Sequence, residues 1–297
     1  MRNSVRSAHS ITAFHPLVTL NYHLTTMTIY QRLTEDKQVI TSENPADVWV
    51  DWKDEKETWL FLAPHDDDII LGAGLTFLAA LNDGINVHAA ITTNGESGYC
   101  RPEHRNTIAA IRQQEAEASF SAMGLPEDRL HFLGFHDSGV DQFTGHFFTD
   151  QSGPTVISGA TGLQNSYTAL LRLVRPTRIF LPSCTDIHPD HRTAHNEMII
   201  SVFHATGNIW PELGAPLEDF PVLYEYATYS DFLTPPDMRT TVSEELLEKK
   251  LAGIAAYVSQ EQIGALIEIQ RQAGCKEFVR QVKFDLMTPG KYNYLFD

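Results

Sequence analysis

The stretch TWLFLAPHDDDIILGAG, residues 58–74, decides the fold. It opens on a short apolar run of strand length and closes that run at Pro64. From Ile69 the apolar residues continue through LTFLAALNDG to Gly84 with the length of a helix rather than a strand. His65, Asp66, Asp67 and Asp68 stand at the junction. Packing has little use for them there. Like charges side by side repel, and an apolar strand running into them offers no partners.

Working outward, the same alternation repeats. A second strand is expected at 86–95, a long helix at 103–124 ending on Gly124, and a third strand at 129–135. A helix at 163–176 leads to a fourth strand at 177–183, and a helix at 188–207 starts with Pro189 in its first turn. A strand at 222–229 and a helix at 242–263, capped by Ser243, complete the pattern. Residues 143–162 and 207–221, rich in Gly, Ser, Thr or Pro, are expected as surface loops. Strands alternating with helices imply βαβ crossovers. The predicted fold is therefore α/β, a single Rossmann-like domain over residues 51–297 with a mostly parallel sheet and helices on both faces. Residues 1–50, with few charges and no period, are expected as an N-terminal extension that is at most partly ordered.

Composition sets limits. Lys+Arg 22 against Asp+Glu 38 gives a net charge of −16, which argues against nucleic acid and against an anionic membrane surface as partners. No apolar run approaches the roughly 18 residues of a membrane helix, and the N-terminus makes a poor signal peptide because His15, Pro16 and Asn21 interrupt it. Three dispersed cysteines, without a CxxC pair, read as reduced thiols of a cytoplasmic protein. The partner expected is a small molecule, and a homo-oligomer is left open.

In open α/β sheets ligands collect at the carboxyl ends of the strands. His65 to Asp68 follow the first of the alternating strands, and Asp186, His188, Asp190 and His191 follow the fourth. Two His/Asp clusters far apart in sequence thus arrive at one sheet edge. Imidazole nitrogens with one carboxylate suit Zn2+, and Fe2+ nearly as well. Taken singly, HDDD could be a solvated helix start, since acids favour the positive end of the helix dipole. HPDH could likewise be a Pro-initiated helix with surface histidines. His195, one turn beyond His191, offers an alternative ligand.

At these residues PHDDDIILGAG (64–74) resembles the H-x-D-D motif of the LmbE-like, or PIG-L, metal-dependent de-N-acetylases, and HPDH (188–191) resembles their second motif. TTNGE (92–96), RQQEAEASFSAMG (112–124), FLGFHDSG (132–139) and KKLAGIAAYVSQ (249–260) are similar to further blocks of that family in order and spacing. The resemblance runs from about residue 58 to about 285. It implies His65, Asp68 and His191 as metal ligands and Asp67 as the base that activates water. His188 would hold the oxyanion or protonate the leaving amine, with Asp190 setting a histidine's tautomer. It implies removal of an N-acetyl group from an N-acetylated amino sugar or its conjugate. The alternatives are an amidase of the same family acting on a larger acyl group or a thiol conjugate, and a non-catalytic sugar-binding relative. A metallophosphoesterase would want a two-metal site with more bridging carboxylates.

Asp137 resembles the position that touches sugar hydroxyls, and reads equally well as a turn residue. Arg112 and Glu115 share a helix face and could orient a substrate, although they are expected to pair with each other; Arg101 and Arg105, near the second strand's exit, are candidates for binding an anionic substrate group. Asp66 departs from the family, which has Pro or Ala there, and is expected to face solvent. Ile69 stands where the family often has Glu.

Overall fold

The computed structural model describes residues 27–296; residues 1–26, over half of the expected N-terminal extension, lie outside them. In chain order the described strands are β1 (Ile29–Leu33), β2 (Val39–Ser42), β3 (Thr58–Ala63), β4 (Asn86–Thr93), β5 (Leu130–Phe135), β6 (Phe147–Phe148), β7 (Ala160–Thr161), β8 (Arg178–Pro182), β9 (Val222–Tyr226), β10 (Met238–Thr241) and β11 (Lys276–Val282). The helices are α1 (Asp68–Asn82), α2 (Ile108–Met123), α3 (Leu163–Val174), α4 (Pro189–Thr206), α5 (Glu244–Ile254) and α6 (Ile263–Ala273).

Nine strands form one mixed sheet in the order β2-β1-β10-β11-β9-β8-β3-β4-β5. From β9 to β5 every pairing is parallel, while the β11, β10, β1 and β2 pairings are antiparallel. The parallel strands are covered on both faces, which is why every residue of β3 and β8 is buried. One core joins α1, α2 and α5 to the sheet, and a second joins α3 and α4 to the other face. From β3 the chain moves outward through β4 to β5, then returns to β8 on the other side of β3. The crevice of such a reversal opens above β3 and β8. Both His/Asp clusters emerge there.

The single α/β domain and the alternating elements agree with the sequence reading. Four differences have physical causes. Within residues 27–50, β1 and β2 add to the antiparallel edge, and Tyr30, Val48 and Trp49 are buried in the core, with the Tyr30 hydroxyl donating to Asp83 at 2.7 Å. β10 and β11 have no counterpart in the reading. Their signal is inverted, because Glu277 lies inside while Phe278 is 43% exposed. The helix expected over 242–263 stops at Ile254, and α6 begins at Ile263. The segment between them unwinds so that Tyr257, Ser259 and Gln260 reach back to the sheet edge. The expected loop 143–162 contains the short β6-β7 pair.

Helix α1 is itself broken at Ala73 (φ −138°). Glu277 accepts from the amides of Leu75 and Thr76, at 3.1 and 2.8 Å, and so caps the helix a second time. Lys250 and Gln270 donate to the Leu71 carbonyl left over on the other side of the break. The first turn of α1 is thereby set at its own angle. Gly72 lets it approach β9, since a Cβ there would lie 2.5 Å from the Tyr226 ring.

Candidate metal centre and active site

Asp67 occupies the N-cap of α1, yet its carboxylate makes no capping bond. Asp68 is fully buried and Asp66 only 4% exposed. A solvated helix start would look otherwise on both counts. Asp68 Oδ2 accepts from the His65 amide at 2.8 Å and lies 3.1 Å from His65 Nδ1 and 3.2 Å from His191 Nε2. Those two ring nitrogens are 3.2 Å apart. Asp68 Oδ1 is buried without a partner. Burial raises the Asp68 pKa, but His191 and then His65 hold it well below the usual carboxylate range. Burial disfavours the charge on His65, but Asp68, followed by Asp137 and Asp190, raises its pKa well above the ordinary imidazole value.

The residues fit a cation. Donors about 3.2 Å apart suit a tetrahedral site, where bonds of about 2.0–2.1 Å put neighbouring donors roughly 3.3 Å apart. The donor set of two imidazoles and a carboxylate suits Zn2+ or Fe2+. The orphaned oxygen of Asp68 is an acceptor that nothing among the described residues meets. His188 has a ring nitrogen within 4.8 Å of donors on His65 and His191.

Around this group stand the residues that orient it. Asp186 Oδ2 lies 3.3 Å from His191 Nδ1, and its other oxygen accepts from the His188 amide at 2.9 Å. Asp137 and Asp190 lie 3.2 and 3.5 Å from His65 Nε2. Asp190 is anchored by the amides of Ser138 and Val140, and Asp137 by that of Ser97. His65 and His191 thus each have a carboxylate near the ring nitrogen that points away from the centre, as metal-bound histidines commonly do, though the His191 Nδ1 contact lacks hydrogen-bond geometry. Asp137, expected at sugar hydroxyls, lines the cavity and also braces His65.

His188 caps α4, its Nδ1 accepting from the Asp190 amide at 3.3 Å. That bond puts the proton of the neutral ring on Nε2. Burial and then the neighbouring His65 lower the His188 pKa, favouring the neutral form. Asp67 Oδ2 accepts from the Gln260 side-chain amide and lies 3.4 Å from Arg112 Nη2. Its Oδ1 has no partner among the described residues, and Asp67 lines a cavity of about 210 Å³ with His65, Arg112, Asp137, His188 and Tyr229.

Two sequence expectations are corrected. Asp66 does not face solvent: its carboxylate takes both Arg112 Nε, at 2.8 Å, and Arg112 Nη2. Arg112 therefore does not pair with Glu115, which accepts from the Ser259 amide and hydroxyl, each at 2.7 Å. Burial opposes the charge on Arg112, but Asp66 and Asp67 raise its pKa. Burial pushes the Asp66 carboxyl up to about 7 against the pull of Arg112. Arg105 is exposed ahead of α2 and does not line the cavity. His195 faces another donor group, with Cys184 and Glu225, where its Nδ1–H donates to the Pro182 carbonyl at 2.8 Å. Glu225 is already paired with Arg280 at 2.7 Å, so that group is balanced.

Sequence reasoning gave no role to Asp186, Gln260, Tyr229 or Tyr257. Asp186 was visible as part of its cluster; the others meet the site only through the fold.

Residues 60–202 match the PIG-L family, described as GlcNAc-PI de-N-acetylase. No curated protein sequence matches the chain. Among solved structures the chain is similar to N,N'-diacetylchitobiose deacetylase from Pyrococcus horikoshii, with 22% identity and a TM-score of 0.60 over 79% of this chain and 88% of that one. It is similar to the conserved protein TT1542 from Thermus thermophilus, with 24% identity and a TM-score of 0.57 over 78% and 98%. It is also similar to GalB, the 4-carboxy-2-hydroxymuconate hydratase from Pseudomonas putida, with 17% identity and a TM-score of 0.56 over 78% and 98%. At these identities the likeness is one of fold.

Proposed function

We propose that this chain, whose residues 60–202 match the PIG-L family, is a metal-dependent hydrolase that removes the N-acetyl group from an N-acetylated amino sugar or its conjugate. The observation that carries this reading is the group of His65, Asp68 and His191, with a buried Asp68 oxygen left over, opening onto a cavity that holds an unspent carboxylate. That the Pyrococcus relative is a deacetylase supports it, whereas the hydratase shows that this fold also carries other chemistry.

His65, Asp68 and His191 would hold the ion, zinc by preference with Fe2+ as the alternative. When bound, it supplies a Lewis acid for the acetamide carbonyl and lowers the pKa of water to about 7. Asp67 takes the proton from the attacking water through the oxygen that Gln260 leaves free. Gln260 and Arg112 fix its direction. His188 directs its Nε2–H at the developing oxyanion, a role its neutral tautomer favours. Asp137, Asp186 and Asp190 hold the rings in place.

The test is acetate release from a panel of N-acetylated amino sugars by protein loaded with Zn2+ or Fe2+, with and without chelator. Release that survives chelation, or an Asp67→Asn protein that keeps the parental rate on every sugar, would sink the reading.

A further inference from the structure

Asp66 is placed beside the catalytic base yet touches neither the cation donors nor the water position. Its two carboxylate oxygens take Arg112 Nε and Nη2, its backbone carbonyl accepts from the Tyr257 hydroxyl, and the Arg112 guanidinium lies 5.0 Å over the Tyr257 ring, with Nη1 buried and without a partner among the described residues. A bidentate pair stacked on an aromatic face is among the more rigid ways to hold an arginine. Arg112 is also the one lysine or arginine among the described residues lining the cavity. The other arginines near this sheet edge, Arg101, Arg105 and Arg192, do not line the cavity. Arg101 pairs with Glu261 at 3.2 Å, and Arg192 donates to the carbonyls of Asp186 and Ile187. Against them the cavity presents Asp66, Asp67 and Asp137.

We infer that Asp66 sets the charge specificity of the cleft: by taking up Arg112 it leaves no free cation in the cavity for a substrate anion, so the site accepts amino sugars that are uncharged or carry an ammonium group and rejects those bearing a phosphate or carboxylate. The inference rests on the amino-sugar reading above. Away from the bound ion, an anionic group entering the cavity meets three carboxylates at short range and an arginine whose charge Asp66 offsets. A free ammonium gains from the same field. Asp66 acts through Arg112 and is a positioning residue, not a catalytic one.

The test compares kcat/KM of the metal-loaded full chain for N-acetylglucosamine, N-acetylglucosamine 6-phosphate and mono-deacetylated chitobiose. The parent is expected to handle the phosphate ester at least about tenfold less well than the neutral sugar. Asp66→Asn, nearly isosteric, is expected to narrow that ratio about tenfold or more by freeing Arg112. Asp66→Asn with Arg112→Gln is expected to lose that gain, a reversal that mere loosening of the site would not produce. Equal use of neutral and phosphorylated sugar by the parent overturns the inference, as does an unchanged ratio in Asp66→Asn. Should the variants not fold, inhibition of the parent by glucosamine and by glucosamine 6-phosphate decides. Weaker inhibition by glucosamine than by its phosphate overturns the inference. Turnover of the neutral sugar with either of these failures leaves the deacetylase reading standing, whereas no turnover of any sugar removes both.

Discussion

Helix α1 carries a buried charge cluster on each side of its break, and the two are built oppositely. At the break, Glu277 and Lys250 form one pair at 2.9 Å, and each Glu277 oxygen also accepts a backbone amide. Positive and negative charges are equal, and the acceptors are used up. One turn before it, at the start of α1, carboxylates outnumber cations, Asp68 Oδ1 meets nothing, and the group opens to a cavity. Both clusters are buried, so burial does not mark the site. Surplus acceptor capacity does. A closed cluster holds the backbone in place, whereas an open one waits for a ligand.

The largest expected effect breaks the open cluster without unfolding it. Asp67→Asn keeps a carbonyl for Gln260 but cannot take a proton, so kcat/KM on an N-acetyl sugar should fall by about 10²–10⁴-fold. The thermal midpoint should stay near the parental one, and a matching drop in that midpoint would show Asp67 to be structural. Lys250→Met makes the reverse case. It leaves Glu277 buried and uncompensated, so urea titration should show a loss of about 3–5 kcal/mol. Adding Glu277→Gln should recover part of that loss, since the uncompensated charge is gone and one of the amides of Leu75 and Thr76 keeps an acceptor. A Lys250→Met protein as stable as its parent would mean the closed cluster contributes nothing.

Metal sharpens the contrast further. Zn2+ at about 100 times its dissociation constant should stabilise the parent by about 2.7 kcal/mol. His191→Ala should abolish most of this, while Lys250→Met should not. Equal stabilisation of parent and His191→Ala would place the ion elsewhere.

The smallest effect lies away from both clusters. His88 and His131 stack with ring nitrogens 3.1 Å apart. Burial, then His131 and Arg129, lower His88 from 6.5 to about 4, and burial lowers His131. Between about 4 and 6.5 the unfolded chain therefore binds more protons than the folded one. Stability should rise with pH through that window and level off above it. His88→Asn should flatten this rise by about 1 kcal/mol, a figure discounted for the half-exposed ring. An unchanged pH slope in urea midpoints would remove the pair from the account.

Much of this was legible in the chain itself. Unbroken apolar runs such as 58–63 can only be strands covered on both faces, and their alternation with helices calls for crossovers. Hence the α/β class, the sheet edge and the meeting of His65, Asp68, His188 and His191 follow from local pattern. Covalent spacing carries that information, because a strand's end and the next residues cannot be far apart. The antiparallel half of the sheet was not legible, since in β11 the buried side chain is Glu277 and the half-exposed one Phe278. Nor were the partners of the three acids. Asp66, Asp67 and Asp68 are consecutive and chemically alike, yet one holds an arginine, one meets Gln260 and lines the cavity, and one faces two histidines. Sequence neighbours share composition but not surroundings. Arg112, Gln260 and His191 approach from three other parts of the chain, and the packing that brings them there assigns each acid its work.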